Sequence, residues 1–266
     1  MSKYVKYYEE VKRLNKEGYR NCEIAKKINI DSRRVGDILR KLNIKRNENE
    51  TYYYIELTSK EEEVLIGNII GDGCIFKDSR GKHYRMNLAH SLKQKEYFMK
   101  KYKILKRLIK SDPKVRTWID KRTNKKYSEI RYQTVSNIIF NDYYNTWYKN
   151  GKKIIPYSEL NKINETVIAI KFFDDGSFIR NAGYIAMNNY DEESIYNLRY
   201  VLKNRFDIKT TLHKNNQIYI PKKEFNKFKE IVKPFSTSDV LYKLGEFGGT
   251  PNVKARTIPI QADEVQ

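Results

Sequence analysis

Residues 65 to 73 read LIGNIIGDG, and the rest of the chain is organised around them. Leu65, Ile66, Ile69 and Ile70 recur at helical spacing, so the stretch reads as an apolar helix that stops abruptly in an acid and a glycine. Gly67 and Gly71, four residues apart, leave one side of that helix bare. Each Gly costs roughly 1 kcal/mol relative to Ala, but a bare side lets another backbone approach closely. Asp72 falls at the helix C-terminus, where the macrodipole is already negative. A carboxylate there is unfavourable unless a cation offsets it, and that placement points to chemistry.

A second stretch answers the first. Residues 168 to 176 read IAIKFFDDG, again an apolar helix ending in acid and glycine, with Asp175 in the place of Asp72. The two acids lie 103 residues apart, about the length of one small domain, which reads as an internal duplication. If the two helices pack side by side, Asp72 and Asp175 emerge together at one end, near a pseudo-two-fold axis. Ile170 and Asp174 stand where the first stretch has Gly67 and Gly71, so the second helix lacks the bare side.

The paired stretches resemble the two motifs of single-chain LAGLIDADG homing endonucleases, over roughly Thr58 to Leu244. The resemblance implies a site-specific, divalent-metal-dependent endonuclease that cuts both strands of DNA. Asp72 and Asp175 would be the metal ligands, for Mg2+ or Mn2+, each serving one strand. The backbone carbonyls of Gly71 and Asp174 would complete the shell; for the Asp174 side chain, a cap of the following turn or a solvent-facing acid is an equally open reading. Phosphodiester cleavage needs an activated water and neutralised charge at the attacking and leaving oxygens, and carboxylate-held Mg2+ supplies both. Lys153 and Lys243 match lysines that close each half in the family. They are the candidates for stabilising the phosphorane or positioning water, with a solvated face as the bland alternative.

Bulk properties agree with a nucleic-acid partner. The chain has 266 residues and a net charge of +20, so it is built to meet a polyanion. Tyr is unusually common at 22 copies, which suits a wet, phosphate-facing surface. No run approaches the ~20 apolar residues of a membrane span, and the N-terminus does not read as a signal peptide. Cys22 and Cys74 are too few for a disulfide framework or a zinc site. The expectation is an intracellular monomer on double-stranded DNA.

Residues 4 to 44 read as a small helical module. Tyr8, Val11 and Leu14 stripe a first helix, Glu17-Gly18 closes it, and Asn21 opens a second with Ile24, Ala25 and Ile28 inside. After a tight turn at Asn29-Ile30-Asp31, Ser32 caps a third helix carrying Val35, Ile38, Leu39 and Leu42. This looks like a helix-turn-helix, in which Ser32, Arg33, Arg34 and Asp37 face the major groove; a plain three-helix cap is the alternative. Lys45 to Tyr54 reads as a linker. Thr58 with Glu61 three residues later reads as a capping box for the first motif helix.

Each half then runs α-β-β-α-β-β-α. In the first, strands flank a turn around Ser79-Arg80-Gly81. A helix spans about 93 to 110, and a second hairpin turns at Thr123-Asn124 between Val115, Thr117, Ile119 and Ile130, Tyr132, Thr134. Residues 136 to 148 form another helix. In the second half the hairpins turn at Asn181-Ala182 and Asn215-Asn216. Helices there span about Asp191 to Arg205 and Lys222 to Val232. The fold class is therefore α+β: two pseudo-symmetric αββαββα halves with four-stranded antiparallel DNA-facing sheets, preceded by a small all-α helix-turn-helix domain. The divisions are 1–46, a linker 47–56, halves at 57–155 and 156–247, and a loose tail 248–266.

A sheet with one apolar face and one lined by long polar side chains suits the major groove. The candidate readers in the first half are Lys77, Lys82, Arg85, Asn87, Lys114, Arg116, Arg131 and Gln133. In the second they are Ser177, Arg180, Asn188, Lys209, Thr211, His213, Gln217 and Tyr219. About a third of these are expected on base edges, because most protein–DNA hydrogen bonds go to the backbone. The duplication predicts a long, pseudo-palindromic target. Two other readings stay open: a helix-turn-helix DNA-binding regulator on an inactive scaffold, and a maturase that binds intron RNA.

Overall fold

The computed structural model describes residues 5–17, 19, 21–44, 55–77, 81–109 and 111–246. Most of the linker expected at 47–56, all of the tail, and most of the turn at 79–81 lie outside those residues. The chain divides after Tyr54 into two compact units.

The first unit holds three helices: α1 (Tyr8–Lys16), α2 (Asn21–Ile28) and α3 (Ser32–Lys41). Val11, Leu14, Ile24, Val35, Ile38 and Leu39 close around one another, as their helical spacing requires. Ser32 is not the cap of α3. Asp31 takes that place, its carboxylate accepting from the Arg33 backbone N–H at 2.7 Å, and an ionised cap outcompetes the neighbouring hydroxyl.

The second unit is the duplicated one. Its first half runs α4 (Ser59–Ile70), β1 (Cys74–Lys77), β2 (Tyr84–Ser91), α5 (Lys95–Ile104), β3 (Lys114–Asp120), β4 (Lys125–Gln133) and α6 (Ile139–Trp147). A two-strand ribbon, β5 (Tyr148–Lys149) and β6 (Lys152–Lys153), leads to a 3-10 segment, Tyr157–Lys162. The second half runs α7 (Glu165–Asp175), β7 (Gly176–Ile179), β8 (Ala182–Ala186), α8 (Glu192–Asn204), β9 (Thr211–His213), β10 (Gln217–Ile220) and α9 (Lys222–Val232). The two antiparallel sheets have matching orders, β1-β2-β4-β3 and β7-β8-β10-β9.

Several junctions follow from local chemistry. Thr58 and Glu61 form the full capping box at the start of α4, and Arg107 binds the same Glu61 carboxylate. That guanidinium, with the Thr58 N–H, holds the Glu61 carboxyl at about 2. The β7–β8 turn is centred on Arg180 and Asn181, one residue earlier than expected. Both have positive φ, 51° and 64°, as a two-residue hairpin turn demands. The helix expected over 93 to 110 is broken: α5 ends at Ile104 and a 3-10 turn, Lys106–Leu108, follows.

Helices α4 and α7 pack on each other in the centre, and both halves share one core. The bare side of α4 is what allows this. A Cβ at Gly67 would stand 2.8 Å from the Ile170 Cβ, and one at Gly71 would stand 2.2 Å from Asp174 Oδ2. The glycines of one helix thus receive the bulk of the other at equivalent motif positions, and only one partner needs to be small. Reciprocal contacts tie the halves together. Asp239, in the 3-10 segment Ser238–Leu244, accepts from the Glu96 backbone N–H in the first turn of α5 at 2.7 Å. Ser194 of α8 accepts from the Ile155 N–H at 2.8 Å.

Candidate functional site

The packing of α4 on α7 brings the two motif acids to one end of the helix pair. The Asp72 backbone N–H donates to Asp174 Oδ2 at 2.9 Å, so the end of α4 is pinned to the end of α7. Lys153, on β6, donates to the Gly71 carbonyl at 2.5 Å. Lys243, near the end of the second half, donates to the carbonyls of Phe173 and Asp174 at 2.7 and 3.0 Å. Gly71 and Asp174 are equivalent motif positions, so each half sets one lysine against the carbonyl that precedes its motif acid. Burial holds both ammonium groups below the ordinary lysine range. The structure therefore brings together Asp72, Asp175, Gly71, Asp174, Lys153 and Lys243.

Around this shared frame the two ends differ. Asp72 keeps 39 % of its side-chain surface and sits 3.2 Å from His90 Nδ1. His90 projects from β2 on the same face as Met86 and Leu88 and is buried. Its Nε2 lies 2.6 Å from Lys101 Nζ of α5. Since an ammonium can only donate, Nε2 accepts, and the proton resides on Nδ1, facing Asp72. Burial and the adjacent Lys101 push the imidazole down to about 3, so the ring is neutral. Asp72 itself is pushed up to about 7 by burial, then by the Asp174 and Asp175 carboxylates.

Asp174 is neither a turn cap nor a solvent-facing acid. Its side chain is fully buried and crosses into the first half. Oδ1 accepts from Tyr97 Oη at 2.8 Å and from Lys101 Nζ at 2.9 Å, while Oδ2 accepts from the Asp72 N–H. Burial is the largest influence and would raise this carboxyl, but Lys101, His90 and the Asp72 N–H together hold the group at about 2. The Asp174 oxygens are thus spent on protein donors.

At the other end Asp175 pairs with Lys171 Nζ at 2.8 Å, one helical turn back. Lys171 also donates to the Ala186 carbonyl at 3.3 Å and lies over the Tyr190 ring. The equivalent of Lys171 in α4 is Asn68, which is buried and makes no side-chain hydrogen bond. An open cleft of about 720 Å3 adjoins this end, lined by Gly71, Lys153, Lys171, Asp175, Asn188 and Tyr190 among others.

Reading from the sequence missed His90, Lys101, Tyr97 and Lys171. The signal was there: each carries polarity at a position where the pattern wants an apolar residue. His90 continues the Met86, Leu88 face, Lys101 falls one turn after Tyr97 on α5, and Lys171 sits inside an otherwise apolar motif. Among the described residues, the acid and imidazole oxygens and nitrogens of Asp72, His90 and Asp174 lie within 4.8 Å of one another. The Lys101 ammonium already bonds two of the three.

The sheets carry most of the predicted readers on one face. In the first, register places Arg85, Asn87, Arg131, Gln133, Lys114 and Arg116 on the outward side. Lys77 is on the opposite face, with Ile75, and Lys82 precedes β2 in a loop. Val115 and Ile119 share the inward face of β3 but are 57 % and 59 % exposed. This hairpin runs past the core, which leaves its apolar side uncovered. In the second sheet Ser177, Thr211, His213, Gln217 and Tyr219 point outward, together with Tyr184, which packs between His213 and Tyr219. Arg180 lies in the turn, Asn188 lines the cleft at Asp175, and Lys209 precedes β9. In the N-terminal unit Ser32, Arg33 and Arg34 form the exposed first turn of α3. No helix among the described residues is long and apolar enough to cross a membrane.

A family model described as the LAGLIDADG DNA endonuclease family matches residues 62–228. Over 212 residues the chain is 26 % identical to the DNA endonuclease I-ChuI of Chlamydomonas applanata, covering 72 % of this chain and 97 % of that protein. It is also 26 % identical to the cytochrome b mRNA maturase bI2 of Debaryomyces hansenii, covering 70 % of this chain and 73 % of the relative. Among solved structures, the homing endonuclease I-WcaI bound to its DNA recognition sequence superposes with a TM-score of 0.66 at 25 % identity. That match covers 77 % of this chain and 96 % of the other.

Proposed function

The chain belongs to the LAGLIDADG DNA endonuclease family, and from that premise we propose that it makes a double-strand cut at a specific site, with Mg2+ or Mn2+ held by Asp72 and Asp175. The observation that carries this reading is the joined ends of α4 and α7, where two motif acids meet and a lysine faces each preceding carbonyl.

The donor set fits such an ion. Carboxylates and the carbonyls of Gly71 and Asp174 are hard oxygen ligands, which suit Mg2+ and Mn2+. Burial, then the neighbouring Asp174 and Asp175 carboxylates, lift Asp72 to about 7, and a cation there would offset both. When bound, the ion supplies charge neutralisation at the phosphate and a more acidic water. The chain's own residues do the rest. The neutral His90 ring, 3.2 Å from Asp72 Oδ2, packs beside that carboxylate and limits the space it can turn in. Asp174 anchors the backbone of Asp72 and would offer the ion only its carbonyl, which here accepts from Lys243. Lys153 and Lys243, each on the carbonyl that precedes a motif acid, would stabilise the phosphorane or position water.

Recognition falls to the outward sheet faces, with six long polar side chains in the first half and a mix of Ser, Thr, His, Gln and Tyr in the second, which follow the major groove of double-stranded DNA. Two halves of one plan call for a long, pseudo-palindromic target bound by a monomer. Ser32, Arg33 and Arg34 of α3 add a helix-turn-helix contact. A second reading, binding of intron RNA, is favoured by the maturase relative.

The test uses a supercoiled plasmid carrying the joined sequence that flanks the gene's own insertion point. Linear product is expected with Mg2+ and none with EDTA. Asp72→Asn combined with Asp175→Asn should retain binding and abolish cutting. Undiminished cutting by that double variant overturns the assignment of the acids. Splicing assistance retained by the same variant would support the RNA reading.

A further inference from the structure

The exposed face of α8 is unusual for a surface helix. Tyr196, Arg199, Tyr200 and Lys203 recur at i, i+3, i+4 and i+7 and so form one stripe. The opposite stripe, with Ile195, Leu198, Val201 and Leu202, is buried in the common core. Solvent-facing positions normally carry charged and small polar residues, yet Tyr196 is 62 % and Tyr200 is 40 % exposed. Tyr157, from the segment joining the two halves, is 64 % exposed and completes an aromatic row. Its ring centroid lies 6.2 Å from that of Tyr200, which lies 6.4 Å from that of Tyr196.

Positive charge borders the row. A cleft of about 530 Å3 is lined by Tyr196, Arg199, Tyr200, Lys203 and Lys209, with Asn204 and Thr210. Arg199 is held in place by donating to the Thr210 carbonyl at 2.9 Å and to its hydroxyl at 3.3 Å. Lys203 and Lys209 are exposed. On α8 itself the acids, Glu192 and Glu193, are confined to the first turn, and Glu224 accepts from the Lys209 backbone N–H. The stripe lies on the far side of α8 from the core that the second sheet's inward face also lines. The outward sheet face is therefore a different surface.

We infer that this stripe binds unpaired nucleotides of a single strand, with the bases against Tyr157, Tyr196 and Tyr200 and the phosphates at Arg199, Lys203 and Lys209. Exposed rings stack on free base faces regardless of sequence, and adjacent cations take the phosphates. A duplex hides its base faces in its own stack and offers nothing to a row of tyrosines on a helix. The site is independent of cleavage, and it could be filled by RNA or by a displaced DNA strand, which share this chemistry.

The full chain is titrated with fluorescent oligouridine, oligothymidine and an abasic strand of equal charge, in the presence and absence of saturating duplex target. Base-bearing strands should bind more tightly than the abasic one and form a ternary complex with the duplex in place. Tyr196→Ala with Tyr200→Ala, which leaves the net charge untouched, should weaken strand binding about ten-fold or more. Affinity for the duplex should stay within about two-fold. Whichever of the two base-bearing strands binds names the source. The proposal is overturned if the abasic strand binds equally well, if the duplex displaces the strand, or if the double variant binds like the wild type. It is equally overturned if the stripe proves to hold a second copy of the chain, seen as a dimer in the ultracentrifuge that the double variant abolishes.

Discussion

Asp72 and Asp175 occupy equivalent positions at the ends of α4 and α7, yet a neutral imidazole faces the first and an ammonium pairs with the second. The backbone plan is shared: equivalent carbonyls at Gly71 and Asp174 each receive a lysine. The side-chain chemistry is not. Asp174 has no equivalent in α4, and its carboxylate crosses the axis into the first half. It can do so because Gly71 leaves room for it, and it is tolerable there because Lys101 and Tyr97 satisfy it. Duplication thus fixes where the acids stand, while a linked set of departures, Gly71, Asp174, Lys101 and His90, decides how the first one is held.

Removing the crossing carboxylate should break this comparison most severely. Asp174→Ala leaves the Lys101 ammonium buried without its counter-charge, which costs about 3–5 kcal/mol. Asp175→Ala should cost less, about 1–3 kcal/mol, because Asp175 keeps a solvent-facing side and the buried Lys171 retains the Ala186 carbonyl and the Tyr190 ring. Urea unfolding of the two variants measures the difference. Equal losses would mean that Asp174 is not the hub described here.

The pairing itself can be sharpened with a double-mutant cycle. Lys101→Met alone strands a buried carboxylate, while Lys101→Met with Asp174→Asn strands no charge. The double variant should therefore be at least about 2 kcal/mol more stable than the sum of the single losses predicts. Strict additivity would dissolve the pair.

Much of this was legible in the chain and some was not. The duplication, the capping box at Thr58, the αββαββα order and the adjacency of the two acids follow from periodicity and spacing, which are local or repeat at one interval. The tight α4–α7 contact also follows once it is seen that one bare helix suffices. The wiring of Asp72 was hidden because it draws on β2, α5 and α7, elements that only the tertiary fold brings together. A lone His90 or Lys101 on an apolar stripe announces that something polar is buried, but not with what. The bare inward face of β3 was hidden for a related reason: alternation of Val115, Thr117 and Ile119 shows that a face exists, not whether a helix covers it.

Smaller in size is the effect of pH on the first centre. Asp72 has its carboxyl raised to about 7 from an ordinary value near 3.8. Between those values the folded chain binds the extra proton, so stability falls as pH rises through that window. Asp72→Asn removes this burden. Without divalent metal it should melt a few degrees above the wild type at pH 8, about 1 kcal/mol once the open side of Asp72 is discounted. The gap should close as pH falls to 4, where the wild-type carboxyl is protonated in the folded chain. A gap independent of pH would locate the effect elsewhere.

The central claim is that divalent metal belongs to the two motif carboxylates, while Lys101 already serves as the fixed cation of the Asp174 cluster. Anomalous scattering from Mn2+ in crystals of the full chain with its target duplex tests it most directly. The predicted density touches Asp72 and Asp175 and leaves the Asp174 carboxylate on Lys101. Density seated among Asp72, His90 and the Asp174 side chain, with Lys101 displaced, would contradict it.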